Sequence, residues 1–460
     1  MFERYRVIHF IGIGGIGMSG IAEVLHNLGY EVTGSDLKGS ETVERLRGLG
    51  LKVYIGHRAE NIDSAHVVVV SSAVRADNPE VIEAKMKSIP VIPRAEMLAE
   101  LGRLKYAVLV AGSHGKTTTT SLVSTVMAHA GFDPTVVIGG KLKALGTNAR
   151  LGRGNFIIAE ADESDGSFLK LSPTIGVVTN IDREHMEYFK TVDALKGAFL
   201  SFMNKVPFYG LSVACMDDRY VRELLPSVHR KVVTYGLSPD ADLRAENIKR
   251  GFMSVSFEAL MAGETLGVFV LPVPGEHNVL NALASIAVAL ELQIDAEKVR
   301  EALKGFGGIQ RRLEFKGEAG GIKVFDDYGH HPTEIRATLK ALRESMDSGR
   351  LFVVFQPHRY TRTRDLFEEF TVSFDDADGL VMMDIYPAGE PPINGITTEA
   401  LVNAMKKAVK RGDVSHIKEK DEVARFLAST ASAGDVVLTL GAGDVWEVGE
   451  RIINWLEKRN

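Results

Sequence analysis

Two glycine-rich turns in this chain carry the residue types needed to hold phosphate groups. The first to weigh is Ala111-Gly112-Ser113-His114-Gly115-Lys116-Thr117-Thr118. Successive backbone N–H groups in such a turn wrap a phosphate, a lysine brings a mobile charge to the β and γ positions, and a threonine hydroxyl suits Mg2+. The loop is a shortened variant, because the first glycine of the common G-x-x-x-x-G-K-[ST] pattern falls at Val110. A Gly-Lys-Thr run between a strand and a helix still points to ATP, held by Gly112, Ser113, His114, Gly115, Lys116, Thr117 and Thr118. The other turn is Gly12-Ile13-Gly14-Gly15-Ile16-Gly17, also between a strand and a helix. It lets a backbone approach a diphosphate closely at a helix N-terminus. Asp36 lies about 20 positions on, where a ribose hydroxyl is commonly bound. Taken alone, this turn reads as a dinucleotide dehydrogenase.

Further polar groups cluster where apolar runs end. Glu160-Ala161-Asp162-Glu163-Ser164-Asp165 follows the run Phe156–Ala159. Carboxylates there face the crevice in which α/β sheets bind ligands, and their hard oxygens suit Mg2+. Thr179–Met186 ends the next strand, and His185 is a candidate imidazole ligand for a second Mg2+. Asn278 and Asn281 share a helical face, where their amides either read a base edge or, for Asn278, cap the helix. Arg311-Arg312, Asp326–Pro332 and Gln356–Arg364 concentrate charge at later strand ends, which makes poor core and good site material. The run Arg359, Arg362, Arg364 has a solvated face as its plain alternative.

These groups need a scaffold, and the pattern supplies one. Short β-rich runs alternate with helical patterns, the signature of α/β layering. Strands are expected at Val7–Ile11, Val32–Ser35, His66–Ser71, Tyr106–Val110, Phe156–Glu160 and Ile175–Thr179. Helices are expected at Ile16–Leu28, Lys116–Ala130 and Asn278–Leu290. Alternation at Met253–Phe257 and Leu266–Leu271 suggests an antiparallel portion. After a glycine-rich break at Gly305–Gly308, strands are expected at Ile322–Phe325, Leu351–Phe355, Gly379–Met383 and Asp435–Leu440. A chain of 460 residues exceeds one ordinary core, so two or three domains are expected.

Bulk properties narrow the class. The formal charge of -6 argues against a nucleic-acid binder, and no polybasic run suits a membrane surface. No apolar run reaches the ~18 residues that span a bilayer. The single cysteine, Cys215, sits in an apolar run and reads as a buried thiol in a reducing, cytoplasmic protein.

Taken in order, these motifs, with His277-Asn278 and Tyr386-Pro387-Ala388-Gly389-Glu390, resemble the Mur ligases of bacterial cell-wall synthesis from about Ile8 to Gly443. The Gly-Ile-Gly-Gly-Ile-Gly-Met turn resembles the branch that adds the first amino acid. The resemblance implies an α/β fold of three domains. These are an N-terminal Rossmann-like domain (1–104) for a UDP-sugar rather than NAD, a central P-loop ATPase-type mixed sheet (105–308) for ATP, and a C-terminal Rossmann-like domain (309–460) for amino-acid binding and closure. It implies ATP and Mg2+ as cofactors, and L-alanine joined to UDP-N-acetylmuramate through an acyl phosphate. Gly14, Gly15, Ile16, Gly17, Asp36, Ser71 and Ser72 would bind the UDP-sugar. Thr117, Glu160 and His185 would hold metal. His277, Asn278, Asn281, Arg312 and Asp327 would join the loop in binding ATP. Tyr328, His330, Arg359 and Arg362 would surround L-alanine, and Lys116, Glu160, His185, His330 and Arg359 would serve catalysis. Several sister ligases carry a carbamylated lysine at the metal site, and Lys196 is the lysine nearby in sequence. A nucleotide-binding switch without ligase activity would not need the polar strand ends at Asp326–His331 and Gln356–Arg364.

Overall fold

The computed structural model describes residues 6–71, 73–103, 105–142, 147–408 and 413–457. The chain divides into two compact units. One comprises Met1–Asn247, Phe257–Val270 and Val279–Gly307, and the other Ile248–Ser256, Leu271–Asn278 and Gly308–Asn460.

The first unit holds a five-stranded sheet and most of a ten-stranded one. The N-terminal one has five strands in the order Lys52–Ile55, Glu31–Asp36, Val7–Ile11, Val67–Val70, Val91–Pro93. All its pairings are parallel. This is the arrangement of a Rossmann-like half, and it puts every strand's carboxyl end on one edge. Val7–Ile11 is buried along its whole length, as a central parallel strand between helical layers must be. Helix Ile16–Asn27 follows the glycine turn, with Gly15 as its N-cap.

The second sheet has ten strands, and Tyr106–Ala111 lies near its middle. Its neighbours Ile175–Val178 and Phe156–Glu160 both run parallel to it. Three adjacent parallel strands therefore deliver Gly112, Glu160 and Thr179 to the same edge. Thr135–Leu142 pairs parallel with Phe156–Glu160 and antiparallel with Thr147–Arg150. At the far end, Leu243–Gly251, Ser254–Met261 and Glu264–Leu271 are successive neighbours joined by two-residue turns, a spacing only antiparallel pairs allow. Cys215 ends strand Leu211–Cys215, and burial pushes its thiol up to about 11.

The second unit carries a six-stranded sheet ordered Glu314–Ala319, Ile322–Asp327, Val436–Leu440, Leu351–Phe355, Gly379–Met382, Asp413–His416. Only the Glu314–Ala319 edge is antiparallel. Alternate side chains of one strand enter opposite cores. Phe325, Val353, Phe355 and Leu438 pack with Ile335, Leu339 and Leu342. Val324, Phe352, Val354 and Val437 pack with Leu427, Val448 and Ile452 on the other face. Both faces are thus covered, and only the strand ends remain for chemistry.

Among the described residues, no helix is long and apolar enough to cross a membrane.

Candidate functional site

The loop after Tyr106–Ala111 is braced by the neighbouring strand end. Thr179 Oγ1 donates to His114 O at 2.6 Å, and Asn180 Oδ1 accepts the His114 N–H at 2.8 Å. Ser113 N donates to Asn180 O, and Ser113 Oγ accepts the Asp182 N–H at 2.8 Å. Gly112 has φ +134°, and a Cβ there would stand 2.0 Å from Thr179 Oγ1. No other residue fits the turn without moving that strand end. Helix Lys116–His129 begins immediately after Gly115, so its unpaired N–H groups face the loop.

Lys116 Nζ is gathered into this loop. It donates to Gly112 O, to Ser113 O at 3.1 Å and to Glu163 Oε1 at 2.9 Å. Burial pulls its pKa down, but the carboxylates of Glu163, Asp162 and Glu184 outweigh burial and hold it above the usual lysine value. The ammonium is charged at any working pH. Its partner Glu163 is 1% exposed, and its second oxygen, Oε2, has no hydrogen-bond partner among the described residues. An uncompensated buried carboxylate oxygen is costly and calls for a cation or donor.

The acidic run separates into distinct places. Glu163, Glu184 and His185 bring one ligand atom each to within 4.8 Å of one another. Glu160 ends its strand and accepts the Gly139 N–H at 2.8 Å. Asp162 Oδ2 pairs with Arg94 Nη2 at 3.0 Å. His185 therefore gathers with Glu163 and Glu184, and Glu160 is anchored on Gly139. Lys196 instead pairs with Glu223 Oε2 at 2.6 Å and lies over the Tyr220 ring, engaged in an ordinary ion pair.

Asn281 faces the same loop. A Cβ on Gly115 would meet Asn281 Oδ1 at 2.6 Å, and that oxygen accepts from Thr119 Oγ1 at 3.1 Å. Asn278 Nδ2 donates to Pro274 O at 2.7 Å. Each amide thus spends one of its groups within the protein. Asn278 lies inside helix Glu276–Glu291 rather than at its cap.

At the first glycine turn, Asp36 Oδ2 accepts the Gly14 N–H at 2.9 Å, tying the loop to the neighbouring strand end. Ser71 follows strand Val67–Val70 on the same edge. Ser72 lies outside the described residues.

In the second unit, the two adjacent arginines diverge. Arg311 is locked: its Nε donates to Asp326 Oδ2 at 3.0 Å, and its other nitrogens to Gly441 O and Gly443 O. Arg312 lies over the Tyr328 ring, with Nη1 3.7 Å from Glu334 Oε1. Asp327 accepts the N–H groups of Leu313 at 2.8 Å and Gly329 at 2.7 Å. Burial pushes its carboxyl up to about 6 against the pull of Arg312 and those N–H groups. Burial, with Arg312 adding to it, pushes His277 down to about 4, so its ring is neutral.

His330 Nδ1 meets Tyr328 O at 3.1 Å. A carbonyl only accepts, so Nδ1 carries the proton there and Nε2 the basic lone pair. His358 stacks on Tyr386 with ring centroids 5.6 Å apart, and its Nδ1 accepts from Arg362 Nη1 at 3.1 Å. Burial, together with His330, Arg362 and Arg359, pushes His358 down to about 3. Arg359 takes φ +71°, caps helix Tyr360–Asp365 and is exposed, while Arg364 is spent on its neighbour Asp365. The positive φ of a bulky residue at a strand end is strain of the kind stored at functional sites.

Glu163, Glu184, His358, Tyr386 and Arg94 were not singled out by spacing. Glu163 stood within the acidic run, but spacing alone does not choose among its four carboxylates.

Three stretches match known families in order. Residues 7–106 match the Mur ligase family, catalytic domain; 110–289 match the Mur ligase middle domain; and 311–443 match the Mur ligase, glutamate ligase domain. A UDP-N-acetylmuramate–L-alanine ligase of Geobacter sp. strain M21 is 57% identical over 453 residues, covering 98% of each chain. One from Geobacter sulfurreducens is 55% identical over 459 residues, 100% of this chain and 99% of that one. The crystal structure of UDP-N-acetylmuramate-alanine ligase MurC from Thermotoga maritima superposes with a TM-score of 0.84 at 30% identity, covering 98% of this chain and 99% of that one.

Proposed function

Because this chain belongs to the Mur ligase family, we propose that it joins the amine of L-alanine to the lactyl carboxylate of UDP-N-acetylmuramate, using ATP. A carboxylate is too poor an acylating agent to form an amide directly. One of its oxygens attacks the γ-phosphorus of ATP, the bond to the bridging oxygen breaks, and ADP leaves. The amine then attacks the acyl phosphate and loses a proton, and phosphate departs with the carboxylate oxygen. The product is UDP-N-acetylmuramoyl-L-alanine, a peptidoglycan precursor. The observation that carries this reading is Lys116, held charged at the mouth of the loop by Glu163, with Glu184 and His185 beside it.

We assign residues 1–104 to the UDP-sugar, 105–308 to ATP and 309–460 to the amino acid. Gly14, Gly15, Ile16, Gly17, Asp36, Ser71 and Ser72 receive the sugar nucleotide. Lys116 and the N–H groups of Gly112–Thr118 clamp the transferring phosphoryl group, whose developing charge is where fixed donors act most strongly. His277, Asn278, Asn281, Arg312 and Asp327 complete the ATP contacts. Thr117, Glu160 and His185, with Glu163 and Glu184 close by, suit Mg2+, and the unsatisfied Glu163 oxygen supports that fit. When bound, Mg2+ supplies neutralising charge to the phosphates. In the second unit, Tyr328, Arg359 and Arg362 receive L-alanine, and the Nε2 lone pair makes His330 the candidate base for the amine. A cytoplasmic location belongs to the same reading.

Isotope transfer tests the chemistry. With the lactyl carboxylate labelled with heavy oxygen, one labelled oxygen is expected in the released phosphate. Unlabelled phosphate alongside amide product would rule out the acyl phosphate.

Asp327 gives a pH dependence. Its folded pKa lies above the ordinary value, so folding favours the protonated form. That stabilisation is complete below the ordinary carboxylate range and is lost as pH rises through about 6. The ionised form, which accepts both N–H groups most strongly, is held against that trend. We expect kcat/KM for ATP to fall about tenfold per pH unit below its value near 6, and a rate flat down to about pH 5 would contradict this role.

A further inference from the structure

A cation stands beside the first glycine turn. Arg94 directly follows strand Val91–Pro93. It therefore lies on the same carboxyl edge of the parallel N-terminal sheet as Gly12, Asp36 and Ser71, where such sheets bind ligands. Its guanidinium reaches Gly17, in the first turn of helix Ile16–Asn27. A Cβ on Gly17 would stand 2.8 Å from Arg94 Nη1 and 3.2 Å from Cδ. The last glycine of the turn is thus the space that Arg94 occupies.

The placement runs against simple electrostatics. A helix N-terminus carries partial positive charge, and a cation beside it is repelled unless an anion stands with both. The anion in the structure is Asp162, whose Oδ2 lies 3.0 Å from Arg94 Nη2. Arg94 is 27% exposed and Asp162 42%, so the pair opens to solvent and to a ligand. Asp162 also accepts the Ser164 N–H at 3.0 Å through Oδ1, which holds the carboxylate in position.

We propose that Arg94 is a binding residue for the diphosphate of the sugar nucleotide, and that Asp162 is the counter-ion that parks it over Gly17 until the diphosphate arrives. This rests on the assignment of residues 12–17 to that ligand. The diphosphate takes the N–H groups of the helix and the guanidinium together, and Asp162 competes with it for Arg94. The two residues then have effects of opposite sign.

The test is binding of UDP-N-acetylmuramate to the full chain by calorimetry, in wild type, Arg94→Ala, Arg94→Lys and Asp162→Asn. Charge-assisted contacts of this kind lead us to expect Arg94→Ala to weaken binding about ten- to a hundredfold, with partial recovery in Arg94→Lys. ATP affinity is expected to change far less than sugar-nucleotide affinity in both, since Arg94 is linked to the ATP loop indirectly, through Asp162, which also faces Lys116. Asp162→Asn retains an acceptor for Ser164 and is expected to tighten sugar-nucleotide binding, with a smaller effect when Arg94 is already alanine. Folded Arg94→Ala protein, checked by its thermal midpoint, that binds UDP-N-acetylmuramate as wild type does would overturn the inference and leave Arg94 a strut between helix Arg94–Gly102 and the Asp162 turn. A wild-type chain that fails to bind UDP-N-acetylmuramate at all would overturn the underlying site assignment along with it.

Discussion

Replacing Lys116 with alanine is expected to lower ligation by at least about a hundredfold, with UDP-N-acetylmuramate binding within about threefold of wild type. The lysine is the fixed charge at the position where the transferring phosphoryl group gains charge, and fixed charges act there more strongly than on the ground state. The sugar nucleotide is assigned to the other glycine turn, on a different sheet, so its binding is not expected to need Lys116. The substitution also strips the cation from Glu163, which is 1% exposed. Breaking a buried pair from one side costs about 3–5 kcal/mol, so a lower thermal midpoint is expected too. Lys116→Arg separates the two effects. It keeps a cation for Glu163 and is expected to recover stability, but its planar fork cannot copy a point charge, so the rate is not expected to return. Parallel loss of ATP-dependent turnover and sugar-nucleotide binding would contradict the division between the two turns.

The second large effect is expected from one methyl group. Gly112→Ala places a Cβ 2.0 Å from Thr179 Oγ1 and 3.1 Å from the backbone of Asn180, at a φ of +134°. Loop and strand end cannot both stay where they are. Thr179 and Asn180 between them make three hydrogen bonds to His114, so any displacement is passed to Gly115 and Lys116. A shift of about an ångström in a positioned group costs about a hundredfold in rate, and a loss of that size in kcat is expected. Serine is expected to do no better. A kcat within about twofold of wild type would show that the loop tolerates the displacement, and that its bracing does not set the position of Lys116.

These residues also show how far the sequence could be read. Both glycine turns, and the strand and helix flanking each, were legible because glycine spacing and apolar runs are local signals. Strand Glu31–Asp36 extends one residue beyond each end of the expected Val32–Ser35, and Ile175–Val178 stops one residue short of the expected end at Thr179. Such edges depend on pairing with neighbours, which no single run encodes. Strands of three or four residues, such as Val91–Pro93 and Lys52–Ile55, gave no period to detect. Arg94 was missed with the strand that positions it.

Side-chain roles were harder than elements. Arg311 and Arg312 are neighbours of the same type, and only the fold separates them. Both lie over the Tyr328 ring, but Arg311 is spent on Asp326 and on carbonyls some 130 residues away, at Gly441 and Gly443, while Arg312 faces Glu334. Among Glu160, Asp162, Glu163 and Asp165, spacing could not show that Glu163 takes Lys116, that Asp162 takes Arg94, or that Glu160 holds Gly139. Glu184 carries no spacing signal of its own, and only the turn brings it with His185 to Glu163. The family resemblance supplied what spacing could not: an acceptor carboxylate and an amine for the activated phosphate.

Phosphate release from ATP, measured with UDP-N-acetylmuramate and a panel of amino acids supplied separately and together, tests the central claim most directly. The account predicts sustained release only when the sugar nucleotide and an amino acid are both present, with L-alanine the best of the panel. Glycine and serine should follow by no more than about 1–3 kcal/mol in kcat/KM, the discrimination a small pocket gives for one methyl or hydroxyl. Release that proceeds at the same rate without UDP-N-acetylmuramate, or without any amino acid, would contradict it.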